Sequence, residues 1–242
     1  MIPPRLPLAL IAALAAVALS RPAAAQGIGC PKFDRPELRI DTQLVPLKRN
    51  FAKTLPQLQA MPGRSAGPRG AESGQVLGLA HATFGERWQI GAHYQPQPGG
   101  AVCAALSRLT VSFGFQERVV YVARELPQGS CIQREVLTHE MKHVAVDEAL
   151  LKEFMPTFKR RLEAVVARQG AVRARSHDHA MALLRQPVDA AVKGLMQEFA
   201  RERERRQAKV DTIEEYRRVS KSCNGDLAKY VKGQGRLSAA RS

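Results

Sequence analysis

The stretch Ser130-Cys-Ile-Gln-Arg-Glu-Val-Leu-Thr-His-Glu-Met-Lys-His-Val-Ala-Val-Asp-Glu-Ala-Leu-Leu-Lys-Glu-Phe154 decides how this chain folds. Ser130 and Gln133 have the spacing of a capping box, which predicts that a helix begins here. Apolar residues then recur every three or four positions, so we expect the helix to run to about Phe154, short of Pro156. One face of this helix is therefore predicted to pack in the core.

This helix contains His139-Glu140-Met-Lys-His143, an HExxH motif. Two histidines four residues apart share one face of a helix, which suits the binding of one Zn²⁺ by two imidazoles. The apolar stripe that includes Ile132 and Val136 passes through both histidines, so both should point inward, either as zinc ligands or as a hydrogen-bonded core pair. In the zinc interpretation, Glu140 is the general base for attack by zinc-bound water and passes the proton to the leaving amine.

A catalytic zinc site needs a third protein ligand, and the extended pattern HExxHxxGxxH is absent. The ligand is therefore expected from a later element, and Glu215 on a helix predicted over Pro187 to Ser222 is the first candidate. Asp147 follows His143 by one helical turn and is expected to orient that imidazole from behind. The alternative ligands are Asp211, Glu214, Glu198 and, from a short polar stretch predicted to be an exposed loop, His177 and His179.

The N-terminus has the composition of a secretory signal peptide. Arg5 precedes an apolar run from Leu6 to Leu19, and Ala23-Ala-Ala25 has the small residues of a signal-peptidase site. We therefore predict that residues 1–25 are removed and that the protein is periplasmic or secreted by a bacterium. No later stretch has the length and hydropathy of a membrane span, so none is expected after cleavage.

The four cysteines predict disulfide bonds. An even number in an oxidising compartment indicates two bonds, for which three connectivities exist. The runs Leu109–Phe113 and Val119–Ala123, separated by Gly114–Arg118, predict a β-hairpin that would fold the chain back on itself. This register favours the pairs Cys103–Cys131 and Cys30–Cys223.

The two halves of the chain differ in pattern, which predicts the α+β class. Residues 35–126 are rich in Gly, Pro and short β-prone runs, and should form a small antiparallel sheet. Residues 130–225 have helical periodicity, and the HExxH helix is expected to pack on the sheet. The two parts are predicted to form one domain over residues 26–231, followed by a disordered tail over 232–242.

The chain is strongly basic, with 37 Lys plus Arg against 22 Asp plus Glu and a formal net charge of +15. Such a charge favours contact with anionic envelope components, such as lipid headgroups, lipopolysaccharide or wall polymers, or with acidic protein substrates. Aromatic residues make up only 5% of the chain and no nucleic-acid-binding module is recognisable, so no nucleic-acid partner is expected.

From residue 106 to residue 224 the chain resembles bacterial exported zinc-dependent proteases of the zincin group. The shared features are a signal peptide, a small sheet, a cysteine shortly before an HExxH helix, and later helices that end in an acidic and aromatic segment. The resemblance implies that His139 and His143 bind zinc and that Glu140 is catalytic. In this family a segment with Tyr, Asp and Thr follows the last long helix. Val210–Tyr216 is only loosely similar to that segment, so the third ligand stays open.

The resemblance implies peptide hydrolysis by a zinc metallopeptidase. In zincins the strand before the active helix is generally a sheet edge that pairs with an extended substrate, and Val119–Leu126 occupies that place in this sequence. We expect Val119–Leu126 either to be such an edge or to lie buried between two neighbouring strands. The alternative is a non-catalytic binding or assembly protein of the cell envelope. In that case a zincin-like scaffold would carry the basic surface that makes the contacts.

Overall fold

The computed structural model describes residues 29–62 and 76–231, so the predicted signal peptide and the predicted tail lie outside the described residues. The strands are β1 Glu37–Leu44, β2 Lys48–Asn50, β3 Gly78–Pro96, β4 Val102–Val122 and β5 Val172–Ala174. The α-helices are α1 Leu55–Gln59, α2 Cys131–Arg168, α3 His177–Gln207, α4 Ile213–Lys221 and α5 Leu227–Val231.

Strand β4 is the centre of a five-stranded mixed sheet. Strand β3 pairs with one edge of β4 in antiparallel orientation, while β5, β1 and β2 share the other edge. Because β1 and β2 run parallel to β4, the prediction of an antiparallel sheet is wrong, although the α+β class is confirmed. The physical reason is that β1 and β2 pair with a strand far later in the chain and not with each other.

The predicted hairpin between Leu109–Phe113 and Val119–Ala123 does not form, because both runs lie along β4. Gly114, expected in the turn, instead allows β1 to approach closely: a Cβ there would lie 1.9 Å from the backbone oxygen of Gln43. The chain turns earlier, at Pro98–Gly100, whose two glycines have φ angles of 76° and 79°. Glycine adopts this left-handed backbone without steric cost, so the turn is placed where the sequence allows it.

Helix α2 is 38 residues long and extends well beyond the predicted end at Phe154. The predicted start is confirmed, since Ser130 Oγ accepts a hydrogen bond from the backbone N–H of Gln133. The helix continues through Pro156 because Phe154 and Phe158, on either side of it, are both buried in the core. Their burial outweighs the one backbone hydrogen bond that proline removes.

The helix predicted over Pro187 to Ser222 is in fact two helices. The first, α3, starts earlier, where the Ser176 side chain accepts from the backbone N–H of His179. The second, α4, is capped by Thr212, and the turn 208–212 redirects the chain between them. No helix in the described part of the chain is both long enough and apolar enough to cross a membrane.

Helices α2 and α3 cover one face of the sheet. A second apolar cluster lies at the C-terminal end of β4, where the last residues of the strand pack with α1, α5 and the first turns of α2. Ile132 and Val136 belong to this second cluster, so the HExxH motif follows directly after residues that anchor α2 on the sheet. The aromatic residues of the main core are Phe113, Phe115, Phe154, Phe158 and Phe199.

Two disulfides are present, as predicted, but their pairing is Cys30–Cys103 and Cys131–Cys223. The predicted pairing is wrong because the hairpin on which it depended does not form. Cys103 lies at the start of β4 and Cys131 follows the end of that strand, so the whole length of β4 separates them. Cys131 instead links the first turn of α2 to the segment that follows α4.

Candidate metal centre

His139 and His143 lie one turn apart on the face of α2 that packs against the rest of the protein. Their ring centroids are 5.0 Å apart, the rings are nearly perpendicular, and each residue is 9% exposed. The predicted inward orientation is therefore confirmed. Since buried imidazole nitrogens need partners, the groups that face them determine what this pair can bind.

Asp211 faces both histidines from the turn 208–212. Its Oδ1 atom lies 3.3 Å from Nε2 of His139 and 3.2 Å from Nε2 of His143. One ligand atom from each of these three residues lies within 4.8 Å of the others. We call His139, His143 and Asp211 the ligand cluster. Two imidazole nitrogens and one carboxylate oxygen at this spacing form a donor set that suits zinc.

The Nδ1 atoms of the two histidines contact other residues. Nδ1 of His139 lies 3.3 Å from Oε1 of Glu215, which α4 brings to the cluster. Nδ1 of His143 is hydrogen-bonded to Oε1 of Gln207, the last residue of α3. The Nε2 atoms are therefore the ones directed at Asp211, and Glu215 lies on the opposite side of the His139 ring.

Glu140 is a buried carboxyl group beside the ligand cluster. The residue is 6% exposed, and its Oε2 accepts a hydrogen bond of 2.7 Å from the backbone N–H of Ala80 in β3. Strand β3 leaves room for it at Gly78, where a Cβ would lie 2.7 Å from Cγ and from Oε1 of Glu140. Burial raises the pKa of Glu140, although His143, His139 and the Ala80 N–H oppose this effect. A raised pKa suits a carboxyl group that takes up and releases a proton.

His143 keeps its proton to a higher pH than an ordinary histidine. Burial alone would lower its pKa, but the hydrogen bond to Asp211, the charges of Glu140 and Asp211, and the bond to Gln207 raise the pKa by more. A metal ion would compete with this proton for the imidazole. Metal binding at the ligand cluster is therefore expected to depend on pH.

Glu215 and Tyr216 flank His139 from α4. Oε1 of Glu215 accepts hydrogen bonds from Lys142 at 2.7 Å and from Arg218 at 2.9 Å. The bond from Arg218 is the main reason that the pKa of Glu215 falls to about 2. The ring of Tyr216 lies 5.9 Å from that of His139, and burial raises the pKa of Tyr216 to about 12. Glu215 is thus an ionised group whose charge is already matched by two cations.

Asp147 reaches His143 through a glutamine. Asp147 is 5% exposed and forms two hydrogen bonds of 2.8 Å with Arg203. The side-chain nitrogen of Gln207 donates to Oδ1 of Asp147 at 2.6 Å. An orienting role of Asp147 on His143 would therefore act through Gln207, which lies between them, and not by the direct contact that the sequence suggests.

Four predicted candidates lie away from the ligand cluster. Glu198 forms an ion pair with an arginine of α2, and Glu214 is exposed on α4. The stretch around His177 and His179, predicted to be an exposed loop, is the exposed first turn of α3. The His177 ring lies 4.5 Å from that of Tyr94. Tyr94 follows Ala80, the residue of β3 that contacts Glu140, by 14 residues, which is about 46 Å at about 3.3 Å per residue of strand. These four residues are Glu198, Glu214, His177 and His179.

The predicted substrate strand, Val119–Leu126, has no free edge where it is a strand. Its residues Val119 to Tyr121 pair with β2 on one side and with β3 on the other. The edge beside Glu140 belongs to β3, since Ala80 directs its N–H to that carboxylate. Among the described residues, no strand pairs with this outer edge of β3. The strand before α2 in sequence is thus not the strand that borders the site.

Comparison with protein-family models, with curated proteins and with solved structures found no match to this chain. The resemblance to the zincin group therefore rests on the HExxH motif and the order of elements, and it stays a prediction. Any proposal about function depends on the geometry of the ligand cluster and of Glu140.

Sequence reasoning missed Gln207, Arg203 and Gly78. The first two belong to or follow the mixed-charge run 201–206, which predicts an exposed helical face. One signal was available. Arg203 and Gln207 are four residues apart, which is the same spacing as Asp147 and His143, the residues of α2 that they contact. Gly78 has no such signal, because its role depends on the packing of α2 against β3.

Proposed function

We propose that this protein is a zinc-dependent metallopeptidase. The observation that supports this proposal is the convergence of His139, His143 and Asp211, with the buried carboxyl group of Glu140 beside them. Two histidines and one carboxylate are a ligand set of catalytic zinc sites, which keep a position open for water or substrate. A glutamate next to the first histidine is the proton acceptor that peptide hydrolysis requires.

In this proposal Asp211 is the third ligand in place of Glu215. Asp211 Oδ1 faces the Nε2 atoms of both histidines, whereas Glu215 contacts only Nδ1 of His139. Glu215 also accepts hydrogen bonds from two cationic side chains. A carboxylate behind a ligating imidazole orients the ring and raises its basicity, and that is the role we assign to Glu215.

A bound zinc ion would polarise the scissile carbonyl and lower the pKa of a water molecule. Glu140 would take the proton from the attacking water and deliver it to the leaving amine, and its raised pKa favours the first of these steps. The Ala80 N–H holds one oxygen of Glu140, so that the carboxyl group keeps its place on the cluster side of α2.

The substrate would be an extended peptide paired with the outer edge of β3. This edge adjoins Glu140 through Ala80, and no described strand covers it. Backbone pairing with a sheet edge aligns a peptide through its main chain and leaves side-chain selection to neighbouring pockets. This proposal replaces the edge at Val119–Leu126, where β4 is paired on both sides.

We place the protein in the periplasm or outside the cell. The N-terminal pattern of residues 1–25 and the two disulfides support export, because disulfides persist in oxidising compartments. Without residues 1–25, which contain Arg5 and Arg21 and no acidic residue, the remaining 35 Lys plus Arg against 22 Asp plus Glu give a formal net charge of +13, and this charge would bring the protein to anionic envelope components.

The first experiment measures the zinc content of residues 26–242 beside the double variant His139→Ala/His143→Ala. The control variant, His177→Ala/His179→Ala, removes two exposed histidines away from the cluster. We expect about one zinc per chain in the parent and the control and none in the double variant. If the parent takes up no zinc at neutral pH with zinc supplied, the histidines are a hydrogen-bonded core pair and the non-catalytic alternative replaces this proposal.

The second experiment tests catalysis with Glu140→Gln and a mixture of fluorogenic peptides. The amide is isosteric with the carboxyl group, so zinc and fold should be retained while hydrolysis falls by about 10²- to 10⁴-fold. Glu214→Gln, an exposed change on α4, is the control and should keep full activity. Undiminished hydrolysis by Glu140→Gln would contradict the proposed mechanism.

A further inference from the structure

We infer that Gln207 is a positioning residue that sets the tautomer of His143 and so directs its Nε2 lone pair at the ligand cluster. Gln207 does this within a hydrogen-bonded network formed by Arg203, Asp147, Gln207 and His143, which we call the Gln207 network. The inference deepens the proposed function and rests on it where zinc is concerned. The direction of the hydrogen bonds, however, can be tested without any metal.

Arg203 determines the direction of the first hydrogen bonds. Its guanidinium group is a donor only and does not lose its proton in proteins. Two bonds of 2.8 Å to the two carboxylate oxygens of Asp147 therefore hold Asp147 as an acceptor. The guanidinium also lies 5.8 Å from the centre of the Phe84 ring and 5.9 Å from that of Phe115, which keeps this end of the network against the core.

Asp147 in turn determines which way the amide of Gln207 points. Its Oδ1 lies 2.6 Å from the side-chain nitrogen of Gln207, and the same nitrogen lies 3.1 Å from the backbone oxygen of His143. Both partners are acceptors, so the NH₂ end of the amide must face them. The amide oxygen is then left facing Nδ1 of His143. The reverse orientation would place an oxygen against two acceptors.

An amide oxygen only accepts, so Nδ1 of His143 carries a proton in this hydrogen bond. Oδ1 of Asp211, 3.2 Å from Nε2, also only accepts, so the metal-free ring holds a second proton on Nε2 until a metal ion or a higher pH removes it and leaves a lone pair there. A lone pair at that position is what a metal ion needs from the imidazole. Glu215 makes the matching contact with Nδ1 of His139, so both rings would present the same nitrogen.

Gln207 also holds the element that carries Asp211. It is the last residue of α3, and its backbone oxygen accepts from the N–H of Asp211 at 3.4 Å. The side chain binds α2 while the backbone begins the turn to Asp211. Gln207 therefore links the orientation of the His143 ring to the position of Asp211.

The test compares the parent with Gln207→Met, which removes both the NH₂ group that binds Asp147 and the oxygen that faces Nδ1 of His143. In metal-free protein at alkaline pH, ¹⁵N NMR of the imidazole should show the proton on Nδ1 in the parent. In Gln207→Met the proton should move to Nε2, where Asp211 accepts it.

Zinc affinity is the second readout. We expect Gln207→Met to bind zinc about 10- to 100-fold more weakly than the parent, the usual loss when a group behind a ligating histidine is removed. The control is Gln133→Met, which alters a buried glutamine of α2 whose side chain accepts a hydrogen bond from the backbone N–H of Gly129. That variant should keep the parent's affinity. Near-UV spectra and the fluorescence of Trp88 report whether each variant is folded.

The inference is overturned if the parent shows the His143 proton on Nε2, a result that needs no variant to fold. It is also overturned if the parent and Gln207→Met show the same tautomer, because the amide oxygen would then have no directing role. A parent that binds no zinc but has the proton on Nδ1 would overturn the proposed function and leave the Gln207 network intact. The two failures are therefore distinguishable.

Discussion

At the scale of single residues, two carboxylates near the same histidine have different surroundings. Asp211 shares one oxygen between both Nε2 atoms, and Glu215 binds Lys142 and Arg218 in addition to His139. The sequence places both acids on one segment and does not separate their roles. Their roles differ because Asp211 faces the Nε2 atoms of both histidines, whereas Glu215 faces Nδ1 of His139.

Replacement of the two acids should therefore give unequal effects. Asp211→Asn removes a charged ligand, and we expect zinc to be lost from the purified protein. Glu215→Gln keeps an acceptor beside His139, so zinc affinity should fall by only about 10- to 100-fold. Zinc titration against a chromogenic competitor measures both. A greater loss for Glu215→Gln than for Asp211→Asn would return Glu215 to the position of third ligand.

The raised pKa of His143 predicts opposite pH trends for metal binding and for stability. Zinc needs the neutral imidazole, so zinc affinity should decline as the pH falls, beginning above the ordinary histidine value of about 6.5. In metal-free protein the protonated ring is stabilised by Asp211. This contribution to stability is full below the pKa of the unfolded chain and is lost as the pH rises through the raised, folded value.

These trends can be measured by zinc titration and by denaturant unfolding across the pH range from mildly acidic to alkaline. A metal-free protein whose free energy of unfolding rises steadily over the interval in which His143 loses its proton would contradict the second trend. Following the His143 resonances by NMR identifies that interval directly.

At the scale of elements, the site depends on how closely α2 approaches β3. Gly78 lies where β3 passes the side chains of Glu140 and Val136, and a Cβ there would be 2.7 Å and 2.8 Å from their nearest atoms. This close approach puts the Ala80 N–H within reach of Glu140. The long β3–β4 hairpin thus supplies both the edge at which we propose a peptide binds and the hydrogen bond that holds the proposed base.

Gly78→Ala should displace Glu140 and lower peptide hydrolysis, with a loss of stability of about 1–3 kcal/mol from overpacking. Zinc content should change little, because the ligand cluster does not contact Gly78. The control is Gly194→Ala on α3, where no atom lies within 4 Å of the added Cβ and the helix should gain up to about 1 kcal/mol. Unchanged hydrolysis in a folded Gly78→Ala protein would show that Glu140 does not depend on this contact.

At the scale of the whole molecule, the two disulfides join distant parts of the chain with different relations to the site. Cys131–Cys223 links the first turn of α2 to the segment just after α4, so it closes the unit that carries the ligand cluster. Helix α4 has no fully buried residue, and its contacts with α2 include the polar contacts of Glu215 and Arg218 and the ring of Tyr216 beside His139. Cys30–Cys103 links the segment before β1 to the first residues of β4, at the end of that strand that is away from Cys131.

Removal of Cys131–Cys223 by paired serine substitutions should lower zinc affinity, because α4 and the turn with Asp211 are then less well held. Removal of Cys30–Cys103 is a matched control. The two bonds span 92 and 73 residues, so each should contribute a similar stability of about 4.5 kcal/mol in the chain-entropy model. Thermal unfolding and zinc titration separate the two effects. Equal zinc affinity in both variants would contradict the proposed role of Cys131–Cys223.

Much of the local structure could be predicted from the sequence, and much of the topology could not. The helix start at Ser130, the inward histidines and the α+β class follow from short-range spacing, and the structure confirms them. The end of α2 was missed because burial of Phe154 and Phe158 overrides Pro156. The predicted hairpin was misplaced because Gly114 does not form a turn. A glycine is needed there because β1 passes close to the backbone of β4 at that position.

The sequence by itself determined the pair His139 and His143, the position of Glu140 beside them, and the number of disulfides. These depend on spacing within one helix and on composition, which do not require knowledge of distant contacts. Only the tertiary structure decided that Asp211 joins the histidines, that Gln207 faces Nδ1 of His143, and which cysteines pair. The reason is that the partners are far apart in the chain, and the paths of β4, α3 and the turn 208–212 determine which of them meet.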